Sequence, residues 1–517
     1  MAHQWWINHW SRRYVVDYEY KVNGQTVRLA EDPDLVGVRY LEPAPHSLRA
    51  AFSSSVGADV TERIEIPNEK FTLLKSPSAA PMSVSDAVDA AVGKRPAGVV
   101  RTTPVFKLGE TRVLATDRIL LGMKDPATPV SGLLKDVNYE SITPRGFGEY
   151  TVTLAPDVDP LATVQQLAPS EELAYIEPDF VNLMVKPALD DVSTDDAAPG
   201  SERAYATRHY AMQLTAADQA WKLVTGNPAI KIAVLDDGID TRHLDLRSSV
   251  IAGYDACDKD NFQEPNAWDG HGTACAGLAA ALPNSDDGVR GIGGGCSILA
   301  VRIAYSDRPR GVWTTSTGQI AEAVDWSWQN GASVLSNSWS STSASNAVIA
   351  AFGRALTHGR GGKGCVVVVA AGNRPGPVGF PSSLPGVICV AASTPRDEPK
   401  TPSSDDGEDW WGSSYGPEVL VAAPGVKNYT TDITGPAGYN PGGDYYPGFN
   451  GTSSATPLVA GACALVLSAN PTLSGAQVTA IIAQSADKAG SVPYVNGRND
   501  QMGHGRLNVL KAVQLAT

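Results

Sequence analysis

LTAADQAWKLVTGNPAIKIAVLDDGID, residues 214–240, opens as a helix, turns at Gly-Asn-Pro and continues into IAVL, an apolar run closed by two aspartates. A short apolar run without polar alternation is the pattern of a strand buried on both faces, and such strands belong to parallel sheets covered by helices. The run leaves Asp236 at its carboxyl end, where open parallel α/β sheets collect their functional groups. Similar runs follow: ILAVRIA (298–304), ASVLSNSW (332–339), CVVVVAAG (365–372) and VICVAAS (387–393). They alternate with helical stretches such as QIAEAVDWSWQNG (319–331) and ASNAVIAAFGRALTHG (344–359). The alternation predicts an α/β fold with a doubly wound, mostly parallel sheet.

Two further stretches supply chemistry. In GTSSATP, residues 451–457, Gly451 lets the chain turn sharply and Ser453 stands at the mouth of the apolar helix 455–469, with Pro457 in its first turn. In DGHGTACAG, residues 269–277, His271 also opens a helix. A serine hydroxyl needs a base to take its proton, and the base needs a third group to orient it. His271 and Asp236 fill those roles. The chain order Asp, His, Ser separates this set from the chymotrypsin and α/β-hydrolase arrangements.

With these motifs in this order, residues 205–517 resemble the subtilisin/kexin family of serine endopeptidases. The resemblance extends to VVVVAAGN (366–373), whose Asn373 stands where the family places its oxyanion donor, and to the closing GHGRLNVLKAV (503–513). It implies that Ser338, Trp339 and Ser340 in SNSWS, with Ala370, Ala371 and Gly372, line the specificity pocket, and that Gly379 lies at its base. A substrate held by strand addition uses main-chain groups and leaves its side chains to pockets. Small residues there imply a broad or apolar-leaning pocket. Asp237 makes the motif DDG, as in the kexin branch; either it favours a basic residue beside the cleft or it is a solvent-facing acid that hydrogen-bonds its own turn. The resemblance also marks ALPNSDDGVRG (281–291) as a calcium loop, with Asp245, Leu282, Asn284, Asp287 and Val289 as oxygen ligands for structural Ca²⁺; an empty acidic loop is the alternative. Cys275, one turn after His271, reads as a buried thiol close enough to confer sensitivity to mercurials.

The N-terminal part divides less clearly. Residues 14–29 read as a hairpin about Asn23-Gly24, within an extension, residues 1–103, of unassigned role that contains β structure. A short helix is expected near 85–92. Residues 104–186 offer strands in RVLATDRILLGM and EYTVTLAP, a helix capped by Asp159, and ELAYIEPDFVNLMV. The last segment resembles the end of the inhibitory propeptide that precedes many subtilisin domains. That resemblance implies a small α/β, ferredoxin-like unit acting as an intramolecular inhibitor; a purely structural subdomain is the alternative. Residues 187–204, PALDDVSTDDAAPGSERA, have the composition of an exposed linker and processing site.

The net charge of −14 disfavours nucleic-acid binding. Six cysteines without a C-x-x-C pair argue for buried thiols and against a disulfide framework. MAHQWWINHWSRR lacks the aliphatic core of a secretory signal, and no transmembrane segment is expected, so the chain is expected in the cytoplasm as made, or exported without a leader. The expected function is a serine endopeptidase made as a zymogen, acting on proteins or peptides and working as a monomer. The alternatives are a catalytically silent peptide-binding protein on the same fold and a protease recruited to a partner by its N-terminal region.

Overall fold

The computed structural model describes residues 18–40, 62–75, 99–109, 111–184, 209–285, 288–341 and 343–517. The chain forms two compact units, Met1–Val181 and Asn182–Thr517. The expected helix near 85–92 and the linker 187–204 lie outside the described residues.

The N-terminal unit is an antiparallel sheet. Strands β1 (Tyr18–Val22) and β2 (Gln25–Tyr40) form the predicted hairpin, with Asn23 and Gly24 both at positive φ as a type I′ turn requires. β2 also pairs with β4 (Phe71–Lys75) and β5 (Val99–Leu108), and β4 with β3 (Glu62–Ile66). β5 turns into β6 (Thr111–Met123), which pairs with β8 (Glu149–Leu154); β8 in turn pairs with β7 (Tyr139–Gly146). β6 lies between β8 and β9 (Leu173–Met184) along part of its length. Helix α1 (Pro160–Leu167) is capped as expected, the Asp159 carboxylate accepting from the Leu161 and Ala162 amides. The boundary drawn at residue 103 falls inside β5, so strands from both sides of it share one sheet. The side chains agree: Arg118 donates to the buried carboxylates of Glu69 and Asp179, a charge cluster whose members come from either side of that boundary.

The second unit is built on seven parallel strands in the order β11, β12, β10, β14, β15, β16, β17. These are β10 (Lys231–Asp236), β11 (Val250–Asp255), β12 (Ser297–Arg302), β14 (Val334–Asn337), β15 (Val366–Ala370), β16 (Ile388–Ser393) and β17 (Val419–Pro424). A short strand β13 (Trp313–Ser316) precedes α3, and a hairpin of β18 (Asn428–Thr431) and β19 (Tyr445–Phe449) follows β17. The predicted doubly wound sheet is therefore present. β10 lies where the strand order reverses, between β12 and β14, so Asp236 ends its strand at the switch point. Ile232 and Val234 pack into a core with α2 (His271–Ala280), α5 (Thr452–Ala469), α6 (Gly475–Ser485) and α7 (Val509–Ala516). Ala233 and Leu235 are equally buried but point away from that core. Helices α3 (Thr317–Gln329) and α4 (Asn346–Gly362) pack on strands of the sheet and on each other.

Helix α5 is long and apolar enough to cross a membrane by length and composition, but 89% of it is buried inside the fold, as for a core helix. It crosses α2 closely at Gly461, where a Cβ would meet the Ala279 carbonyl at 2.6 Å and the Gly293 amide at 2.8 Å. Those contacts are backbone and cannot swing aside. Gly461→Ala is expected to destabilise the fold by about 1–3 kcal/mol through overpacking, seen as a lower urea midpoint with an unchanged slope; an unchanged midpoint would contradict this packing.

Candidate active site

The carboxyl end of β10, the first turn of α2 and the first turn of α5 meet at one place. Asp236 is buried, and its Oδ1 accepts from the Asp237 amide at 2.9 Å and faces His271 Nδ1 at 2.8 Å. That contact sets the tautomer that leaves Nε2 able to accept a proton. The imidazole is held edge-on by two buried aromatic residues, Trp313 at 4.9 Å and Phe449 at 5.4 Å between ring centroids. His271 Nε2 has no hydrogen-bond partner among the described residues.

Ser453 is the second residue of α5 and is 3% exposed. Its hydroxyl donates to the Ser338 carbonyl at 2.8 Å, while the Ser338 hydroxyl donates back to the Ser453 carbonyl at 3.0 Å. In this conformation the serine is stored on Ser338, and rotation about χ1 is required to offer its proton to His271. Asn373 stands on the other side of the turn. Its Oδ1 accepts from the amide and hydroxyl of Thr452, both at 2.8 Å, so its Nδ2 faces Gly451. Gly451 has φ near +103°, and a Cβ there would lie 2.9 Å from that Nδ2. Only glycine permits both the turn and the close approach. The four groups can thus supply a nucleophile, a base, the base's orienting acid and an oxyanion donor.

The remaining expected residues divide. Ser340 lies across from Gly372, with Ser340 Oγ 3.6 Å from where a Cβ on Gly372 would sit. At Gly379 a Cβ would touch, among the described residues, only the Ser341 carbonyl, at 3.3 Å. Ala370 and Ala371 are buried at the end of β15. The Trp339 side chain is 4% exposed and its indole N–H donates to the Leu235 carbonyl at 3.1 Å, which leaves its main chain to line the pocket. Asp237 is likewise not a solvent-facing acid. It is fully buried, and its Oδ1 accepts from the Gly272 amide at 2.7 Å. All six cysteines are free and buried. Cys275 Sγ lies 3.7 Å from both His271 Nδ1 and the Ser453 carbonyl; burial, then the nearby Asp236 charge, pushes its thiol well above the ordinary range. It is therefore a protonated neighbour and not a nucleophile.

GSSYG, residues 412–416, fits the G-x-S-x-G spacing of a hydrolase elbow. Ser414 is nevertheless structural, donating its hydroxyl to the Arg374 carbonyl and its amide to the Gly372 carbonyl, with no helix following. Sequence reasoning missed Trp313, Phe449 and the β18–β19 hairpin, none of which lies in a chemical motif. The hairpin braces α2: Thr430 and Thr431 hydroxyls donate to the Ala274 and Thr273 carbonyls.

Asp245 is fully buried within the 282–289 loop. Its Oδ1 accepts from the Asn284 amide at 2.7 Å, and its Oδ2 from the Val289 amide at 2.8 Å and the Tyr445 hydroxyl at 3.0 Å. The Asn284 side chain and the Leu282 and Val289 carbonyls meet no donor among the described residues, and Asp287 lies outside them. A carboxylate, a side-chain amide and backbone carbonyls are the oxygen types that a hard cation takes as ligands.

Comparison with known proteins places this geometry. A family model described as the subtilase family matches residues 227–505. The chain is 36% identical over 339 residues to a calcium-dependent protease of Trichormus variabilis, covering 58% of this chain and 48% of that protein. It is 35% identical over 311 residues to thermitase of Thermoactinomyces vulgaris, covering 60% of this chain and 97% of that one. It is 33% identical over 310 residues to subtilisin DY of Bacillus licheniformis, covering 59% and 98%. The chain thus spans about half the length of the calcium-dependent proteases but nearly all of the other two. A solved protease structure from Pseudoalteromonas arctica superposes with a TM-score of 0.50 at 23% identity, covering 62% of this chain and all of that one, and supports the fold.

The turn after β10 is tied to the hairpin through Asp240, which accepts from the amide and hydroxyl of Thr434 and from Arg242. Burial alone would push this carboxyl up, but the hydrogen bonds from Arg242 and Thr434 bring it down from 3.8 to about 2. A depressed carboxylate contributes stability above its unfolded value and loses it as pH falls through its folded one. Asp240 is therefore expected to contribute about 2 kcal/mol at neutral pH, lost between about pH 4 and 2. Thr434→Val should shrink that acid-labile share in urea titrations run at several pH values; an identical pH dependence would contradict it.

Proposed function

Because the chain belongs to the subtilase family, we propose that it is a serine endopeptidase that hydrolyses peptide bonds in protein substrates. The observation that carries this reading is the meeting of Asp236, His271, Asn373 and Ser453 at the ends of β10, α2, β15 and α5. Ser453 turns from the Ser338 carbonyl to His271 Nε2, gives up its proton and attacks the scissile carbonyl. Asn373 Nδ2 and the Ser453 amide receive the oxyanion. His271 then returns the proton to the leaving amine while Asp236 stabilises the imidazolium. Water repeats the sequence on the acyl enzyme.

The part of the N-terminal unit from β6 to β9 is read as the inhibitory propeptide domain, made with the enzyme and removed by it. Its support is the element order β6, a short helix at Val130–Leu133, β7, β8, α1, β9, with β6 between β8 and β9, as in a ferredoxin-like unit. The IEPDF segment in β9 adds the resemblance noted above. The 282–289 loop is read as a structural calcium site held by Asp245, Asn284 and the carbonyls of Leu282 and Val289. Its support is the donor set and the likeness to proteases named as calcium-dependent.

The test is the intact mass of wild type and Ser453→Ala after incubation, beside cleavage of a quenched peptide. Wild type should lose a segment ending within residues 187–208 and cleave the peptide. Ser453→Ala should stay whole and fall by roughly 10⁶ in kcat, the loss known for the nucleophile of a subtilisin. Peptide cleavage by Ser453→Ala at the wild-type rate would overturn the assignment. Calcium chelation should lower the melting temperature; an unchanged value would remove the calcium reading.

A further inference from the structure

We infer that Asp237, the second aspartate of the DDG turn, is a positioning residue that holds the catalytic histidine from beneath and is not a determinant of substrate charge. The inference rests on the endopeptidase reading above. Three observations carry it.

Helix α2 begins at His271 itself, and its N-cap residue is Gly270, which has no side chain to accept a hydrogen bond. The first amides of a helix need acceptors from elsewhere, and a carboxylate there also meets the positive end of the helix dipole. Asp237 supplies that acceptor from the neighbouring turn, its Oδ1 lying 2.7 Å from the Gly272 amide. Its side chain is fully buried in the chain, with Oδ1 committed to that amide.

The turn also touches α2 through its neighbours. At Gly272 a Cβ would lie 2.3 Å from the Gly238 carbonyl, 3.0 Å from Asp236 Cβ and 3.2 Å from Asp237 Oδ1. The strand end and the first turn of α2 are therefore in direct backbone contact. Asp236 grips the imidazole while Asp237 grips the amide one residue on, so two consecutive carboxylates fix one histidine at its ring and at its backbone. Removing the second grip frees the first turn of α2 to shift, and a shift of about 1 Å at a base can cost on the order of 100-fold in rate.

The test compares Asp237→Ala, Asp237→Asn and Asp237→Ser in the full chain, on peptides carrying either Lys or Ala next to the residue before the scissile bond. Asp237→Ala should lose kcat by about 10- to 100-fold on both peptides with little change in KM. Asn and Ser keep an acceptor for the Gly272 amide and should restore most of the rate. A rise in KM confined to the Lys peptide, with kcat unchanged, would overturn the inference, as would an Asn variant as impaired as Ala. A second readout does not need turnover. In Ser453→Ala protein labelled with ¹⁵N-histidine, the downfield Nδ1 proton of His271 should persist with Asp or Asn at 237 and be lost with Ala. Should wild type cleave no peptide, the endopeptidase reading fails while this resonance still decides the role of Asp237.

Discussion

A helix buried along almost its whole length can carry chemistry only at its ends. Helix α5 is in that position: its residues from Thr452 to Leu467 are buried, and all its hydroxyl side chains but Ser468 crowd into its first five residues. The sheet, α2 and the β18–β19 hairpin enclose that end. Gly451 brings Asn373 against it, Ser338 exchanges hydrogen bonds with Ser453, and Gly461 lets α2 approach close enough to bring His271 to the same end. The burial of α5 is thus both the main apolar core of the second unit and the reason its serine has a fixed address.

The second constraint is the strand end. Because β10 sits at the reversal of strand order, its carboxyl end opens into a crevice, and DDG is the first turn beyond it. Aspartates there are deeply buried and survive because each has a strong donor: the imidazole for Asp236, the Gly272 amide for Asp237, and Arg242 with Thr434 for Asp240. These donors explain how a net negative chain can hold so much charge inside its second unit without opening it to water.

Much of this was legible in the sequence, and the unread parts share a physical cause. The strands of the parallel sheet announced themselves as unbroken apolar runs, and the triad announced itself because each member sits inside a local pattern with a backbone reason to be there. Asp159 and the Asn23-Gly24 turn were legible for the same local reason. Side-chain direction after a strand end was not: the Trp339 indole points back to Leu235, and Asp237 turns inward where both readings had it face the cleft or solvent. Trp313 and Phe449 reach His271 from segments with no chemical signature of their own. The boundary at 103 follows the start of a strand–helix–strand pattern, but strand pairing is set by partners far away in sequence, and β5 runs straight through it.

The account stands on Ser453 being a nucleophile made reactive by His271. Treatment with a fluorophosphonate reagent, followed by peptide mass spectrometry, reads that property directly. The label should fall on Ser453 alone in wild type and be absent from His271→Ala protein of equal thermal stability. Labelling of another serine, or equal labelling of Ser453 without His271, would contradict the account.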